Sequence, residues 1–208
     1  MSLVLYYHPF SRAANAVWML EEIGQPYELR FVDILKGEQK SKEITAVNPM
    51  GKIPALTDGD TVVTEGAAIA LYLGDRYGYG TLAPKVDDPR RGPYLRWALF
   101  APSVIEPAVS AKAGNWPCKD TQVGWGTFEN VLDTMESALA GRDFLLGDQF
   151  SMADIVFGGT VRYMMMVKAI EARPTFTAYA ERLAARPAAK RAEAVNAEQI
   201  KAHNIKFP

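Results

Sequence analysis

The hydrophobic period of this chain changes character once, near residue 79, and that change limits its fold more than any other feature. Before it, strand-like and helix-like runs alternate. Residues 3–7 (LVLYY) are aliphatic and aromatic, with one β-branched valine, and end at the punctuation His8-Pro9. From Ser11 a helical spacing begins, with Ala13, Val17 and Leu20 on one face and Gly24 closing it. Tyr27–Val32 alternates as a strand, and residues 37–47 are polar enough for a short surface helix or an irregular turn. Pro54–Thr57 and Thr61–Thr64 read as two short strands joined by Asp58-Gly59-Asp60, a hairpin turn signal. Residues 66–73 (GAAIALYL) are apolar all round and predict a buried helix that stops by Gly78. The order β-α-β-α-β-β-α implies a mixed sheet, parallel at the first crossover and antiparallel at the hairpin.

After the change everything is helical. Residues 79–92 (YGTLAPKVDDPRRG) combine glycine, proline and charge without period and read as a linker. Phe128, Val131, Leu132, Met135 and Leu139 then recur at helical spacing, and Phe176, Tyr179 and Leu183 do so behind Pro174, a favourable first-turn proline. Pro102 and Pro107 predict a kink or break within 94–109. The expected organisation is an α/β domain over 1–78, a linker over 79–92 and an all-α domain over 93–208. It accounts for an awkward length: 208 residues is about 1.4 domains of ordinary size.

Composition removes several function classes. With 49% apolar residues the chain can bury a core, which excludes disorder as its main description. Twenty-three Lys and Arg against 24 Asp and Glu leave a net charge of −1, without the basic excess of a nucleic-acid or anionic-membrane binder. The single cysteine, Cys118, permits no intrachain disulfide and no CxxC metal or redox motif. No apolar run is long enough to span a membrane, and polar residues from His8 to Asn15 interrupt any signal-peptide core. A cytoplasmic location is the expectation.

Four segments in order carry a resemblance: YYHPFSRAANAVWMLEE after the first strand, NPMGKIPAL before the hairpin, TEGAAIALYL at the third helix and FLLGDQFSMADI in the helical region. Together they resemble the cytosolic glutathione S-transferases, most closely the serine-type theta- and delta-like branches and their bacterial relatives. The resemblance implies a thioredoxin-like N-terminal domain joined to an all-α C-terminal domain. It also implies glutathione as co-substrate, a small hydrophobic electrophile as partner, a role in detoxification and a homodimer.

The site residues follow partly from chemistry and partly from that likeness. Ser11 alone reads as a helix N-cap. The resemblance implies instead that its hydroxyl, with the helix N-terminus, holds the glutathione thiolate. Tyr7, at the end of the first strand, is the rival, because tyrosine-type members keep their hydroxyl there. Ile53 would pair its backbone with the cysteinyl part of glutathione ahead of a cis Pro54. Glu65 would meet the γ-glutamyl ammonium, and the Gly66 N–H its carboxylate. Gln39, where the family more usually has His, and Lys52 match positions that hold the glycyl carboxylate. Phe10, Tyr94, Trp97, Phe100, Tyr163 and the Met164–Met166 run are candidates for an apolar electrophile pocket. Ser151 and Asp154 form a capping box flanked by Phe150 and Ile155, a structural signal. His8 and His203, far apart and without a cysteine partner, make a metal site unexpected. Alternatives on the same fold are a specialised glutathione-dependent isomerase, dehalogenase, ether-cleaving enzyme or peroxidase, and a non-catalytic binding protein.

Overall fold

The computed structural model describes residues 3–206. Contacts divide them into two compact units: the residues up to Tyr77 together with those from Arg186 onward, and Gly78–Ala185.

The first unit is built on a four-stranded sheet in the order β2-β1-β3-β4. Its strands are β1 (Leu3–Tyr7), β2 (Tyr27–Phe31), β3 (Ala55–Asp58) and β4 (Thr61–Thr64). β1 runs parallel to β2 and antiparallel to β3, and β3 and β4 form the expected hairpin. Every residue of β1 is buried, as befits a central strand covered on both faces. Helices α1 (Ala13–Ile23) and α3 (Gly66–Tyr77) pack against each other. A smaller cluster of Tyr6, Val32, Ile44 and Ala55 takes in Ile44 of the short helix α2 (Lys42–Val47). α1 ends where Gly24 turns left-handed at φ 66° and returns its N–H to the Leu20 carbonyl, a closure that costs a side-chain-bearing residue more.

At the hairpin, the buried Asp58 carboxylate accepts hydrogen bonds from Tyr72 at 2.8 Å and Tyr77 at 2.6 Å, and pairs with Arg76 at 2.7 Å. Burial works to raise the Asp58 pKa, but these donors outweigh it and hold the carboxyl below the usual aspartate value.

The last helix, α9 (Pro187–Ala202), packs along α1. This differs from the sequence expectation, which placed everything from residue 93 in the helical domain. The physical reason is a set of specific attachments. Arg186 grips Glu22 with two hydrogen bonds of 2.7 and 2.9 Å, and Arg191 reaches Glu21 at 2.7 Å. Beside them Ala188, Ala189 and Ala192 are buried, small enough to let the two helices close up.

The second unit contains α4 (Arg91–Phe100), α5 (Glu106–Ala113), α6 (Phe128–Leu139), α7 (Met152–Met166) and α8 (Pro174–Ala184). The break expected from Pro102 is a π-helical turn over Ala101–Ile105, where the proline lacks the N–H a regular helix would use. α7 is the centre: residues 152–161 are all buried, and α4 and α8 pack on it. Gly158 is required there, because a Cβ at that position would run into Leu183 of α8.

The Ser151–Asp154 capping box forms and does more than cap. The fully buried Asp154 carboxylate accepts from Ser151 N at 2.9 Å and Ser151 Oγ at 3.1 Å. Its other oxygen accepts from Leu145 N at 2.9 Å and the Tyr179 hydroxyl at 2.8 Å. One side chain thus ties the start of α7 to the preceding loop and to α8.

Candidate functional site

The strand register brings the four segments of the first unit that carry predicted site residues to one end of the sheet. Tyr7 pairs with Phe31, Tyr6 with Ala55, and Ala55 with Thr64. The turn 8–12, the loop after β2, the segment 48–54 and the Glu65-Gly66 junction therefore all leave the sheet at the same edge. This is the carboxyl end of β1, where a following helix also presents unpaired N–H groups.

Ser11 stands in the turn between β1 and α1, half-buried. Its Oγ donates to the His8 carbonyl at 2.8 Å and accepts from Ala13 N at 3.1 Å, so without a ligand it behaves as a cap. The His8 carbonyl also accepts Ser11 N–H at 3.2 Å. If the hydroxyl rotates toward a sulfur, that carbonyl keeps a partner.

Tyr7 is completely buried, and its hydroxyl donates to Asn196 Oδ1 on α9. Burial pushes its pKa up, away from any role as an anion or ready proton donor. The rival for the thiolate site thus has its hydroxyl committed to a structural bond. No sequence signal pointed to Asn196, which lies 189 residues away.

The remaining predicted glutathione contacts divide between two places. Gln39 and Lys52 come together because the loops carrying them touch: Lys40 Nζ donates to the Met50 carbonyl at 2.9 Å. Gly51, at φ 57°, is the close approach, since a Cβ there would lie 2.8 Å from the Gln39 carbonyl. The buried Gln39 Oε1 has no hydrogen-bond partner among the described residues, and Lys52 is exposed. Asn48 Nδ2 donates to the Lys52 carbonyl at 2.9 Å and shapes the approach to Ile53. The Ile53-Pro54 bond is cis. Glu65 is exposed and sits in the left-handed region at φ 70°, uncommon for a residue with a Cβ. Gly66 opens α3, and the space beside its Cα is empty.

The expected pocket residues fare unevenly. Phe10 is half-buried next to Ser11. In the second unit Tyr94 is fully buried and Trp97 nearly so, the latter packed edge-on to Phe100 at 5.0 Å and Phe157 at 5.6 Å. For Tyr94 the pocket expectation gives way to core packing, because a side chain without accessible surface offers no wall to a ligand. Tyr163 and Met166 are more than half exposed on the last turn of α7. Cys118 is exposed in the loop before α6. Among the described residues no three His, Cys, Asp or Glu side chains gather as a metal site, and no helix is long and apolar enough to cross a membrane.

Comparison with known proteins bears on the family and the fold. Residues 1–75 match the glutathione S-transferase N-terminal domain, and residues 83–188 match the C-terminal domain. The chain is 30% identical to glutathione S-transferase F10 of Arabidopsis thaliana over 181 residues, which cover 79% of this chain and 82% of the relative. It is also 30% identical to glutathione S-transferase theta-2 of Mus musculus over 205 residues, covering 89% of this chain and 82% of the relative. Equal identity to two differently named relatives supports the family and not a branch of it. Among solved structures, the glutathione transferase URE2P6 of Phanerochaete chrysosporium, crystallised with oxidised glutathione, superposes with a TM-score of 0.79 at 27% identity. That alignment covers 95% of this chain and 97% of URE2P6. With both domain models matched in order over most of its length, the chain belongs to the glutathione S-transferase family.

Proposed function

We propose that the protein is a glutathione transferase in which Ser11 holds the glutathione thiolate and the sulfur attacks an apolar electrophile. The observation that carries this reading is the contrast between the two candidate hydroxyls. Ser11 Oγ sits at the N-terminus of α1 with an exchangeable bond to a doubly served carbonyl, whereas Tyr7 is buried and bound to Asn196.

On binding, the Ser11 hydroxyl hydrogen leaves the His8 carbonyl and points at sulfur. A hydrogen bond to a charged group contributes about 1.5–3 kcal/mol against about 1 for the neutral bond it replaces, so the exchange favours the thiolate. An ordinary thiol of pKa about 8.5 is about 3% ionised at pH 7, and lowering that value by about two units makes it roughly three-quarters ionised. The gain is about 25-fold in nucleophile for about 2.7 kcal/mol of differential stabilisation, within reach of the hydroxyl and helix end together. The thiol proton leaves to solvent. The sulfur lone pair then forms the new bond to carbon while the displaced group, or the conjugated acceptor, takes the electron pair. No covalent intermediate with the protein is needed, so kinetics should be sequential.

Gln39 and Lys52 would take the glycyl carboxylate, the Ile53 backbone the cysteinyl part, and Glu65 with the Gly66 N–H the γ-glutamyl end. Ser11→Ala tests the reading. Glutathione affinity should stay within about threefold while turnover falls at least tenfold and the midpoint of thiolate ionisation rises. An unchanged midpoint refutes it.

A second reading is thiol–disulfide exchange on the same site, and it is favoured by the oxidised glutathione bound to URE2P6. Turnover of glutathionyl mixed disulfides faster than that of an aryl halide would select it. The homodimer implied by family likeness is checked by sedimentation equilibrium.

A further inference from the structure

His8 is buried in the turn that carries Ser11, and both halves of the residue hold that turn. Its carbonyl accepts from Ser11 N at 3.2 Å and Ser11 Oγ at 2.8 Å, and its imidazole Nδ1 accepts from the Phe10 N–H at 3.1 Å. A side-chain acceptor bonded to the N–H two residues on is the geometry by which Asn or Asp caps its own turn. Here an imidazole occupies that role, so the acceptor can be titrated.

An imidazole nitrogen accepts only when it carries no proton, and the bond from Phe10 therefore assigns the neutral ring with its hydrogen on Nε2. Nε2 is buried and has no hydrogen-bond partner among the described residues. Adding a proton would set Nδ1–H against Phe10 N–H, two donors facing each other, and would leave the new cation without an acceptor on either nitrogen.

The surroundings offer little compensation. The ring lies 5.4 Å from Phe31 and 5.9 Å from Phe10, and Phe31 stacks at 3.6 Å on His203, just beyond α9. The groups that face it are Asp33 after β2, whose carboxylate is already paired with Lys36 at 2.9 Å, and His203. The Tyr7 hydroxyl in β1 is committed to Asn196. Burial lowers the His8 pKa below the usual 6.5; Asp33 acts to raise it, and His203 acts with burial.

We propose that His8 is a positioning residue for Ser11, and that its protonation in mild acid opens the 8–11 turn and withdraws the Ser11 hydroxyl from the thiolate. The inference rests on the reading of Ser11 as the thiolate partner. Two ionisations then shape the acid side of activity: glutathione must lose its proton, and His8 must not gain one.

The experiment compares four proteins, the unmodified chain, His8→Asn, His8→Leu and Ser11→Ala. Each is read by the pH profile of kcat/KM and by the ultraviolet absorbance of bound glutathione thiolate. In the unmodified chain log kcat/KM should approach a slope of about 2 at the acid end. His8→Asn supplies a non-titrating acceptor to Phe10 N–H, so its slope should fall to about 1, and it should recover most of the activity that His8→Leu loses near pH 7.5. A limiting slope of about 1 in the unmodified chain overturns the proposal without any variant. A slope of about 2 in His8→Asn also overturns it while leaving Ser11 in place, provided Ser11→Ala raises the thiolate midpoint. If Ser11→Ala leaves that midpoint unmoved, the Ser11 reading has failed and this inference falls with it.

Discussion

Asp154→Ala is the substitution whose cost the structure sets most clearly. The residue has no accessible surface, and its carboxylate receives four hydrogen bonds from Ser151 N, Ser151 Oγ, Leu145 N and Tyr179 Oη. Alanine removes every acceptor at once and leaves four buried donors facing a small void. At about 1 kcal/mol for each stranded donor, and allowing the Ser151 hydroxyl to rotate elsewhere, the loss is about 3–4 kcal/mol. Treated as an N-cap alone, the same change would cost about 1 kcal/mol. For a chain of this length each kcal/mol lowers the melting temperature by about 2–4 °C, so the four-donor arrangement predicts a fall of roughly 6–16 °C. Asp154→Asn is the companion: it keeps the volume but turns one acceptor into a donor, and should recover less than half of the loss. Thermal unfolding followed by circular dichroism reads both variants. A fall under about 4 °C for Asp154→Ala would refute the hub and leave only a cap.

Four other outcomes are expected. Tyr7→Phe strands the Asn196 carbonyl and should lower stability by about 1–2 kcal/mol while leaving turnover within about twofold, read by urea unfolding and initial rates. Arg186→Met leaves the largely buried Glu22 without its two-pronged partner, and should cost about 2 kcal/mol and expose α9 to limited proteolysis before the sheet is cut. Gly66→Ser enters empty space at the start of α3, and its hydroxyl should tighten glutathione binding about two- to tenfold by calorimetry. Stability should also fall in mild acid through His8: its folded pKa lies below the unfolded 6.5, so it stabilises the fold above that pH and loses this contribution as pH drops through the folded value. His8→Asn should flatten that part of the stability profile.

What could be read from the amino acids depended on whether the signal was local. The strands and helices of the first 77 residues followed from period and punctuation, down to the hairpin at Asp58-Gly59-Asp60 and the stop at Gly24. The Ser151–Asp154 cap was legible because its spacing is three residues. Its further partners, Leu145 and Tyr179, were not, since nothing local links them to it. The attachment of α9 to α1 leaves no local signal for a related reason: its buried face is alanine, which gives little hydrophobic contrast, and its arginines look like solvated charges. In the sequence His8 reads as a lone histidine. Its role is that of a turn-capping asparagine, and no residue-type rule reads an imidazole that way.

The return of the chain's last helix to its first has a consequence for synthesis. The unit that carries Ser11 is discontinuous in sequence, with more than a hundred residues of the helical unit made between its two parts. A growing chain finishes the sheet early, yet the α1 face stays bare and Tyr7 lacks Asn196 until α9 has emerged. Domains usually settle in order as they leave the ribosome. Here the helical unit can be complete while the first one is still waiting, so the sheet-bearing unit, although begun earlier, reaches its final form after the helical one.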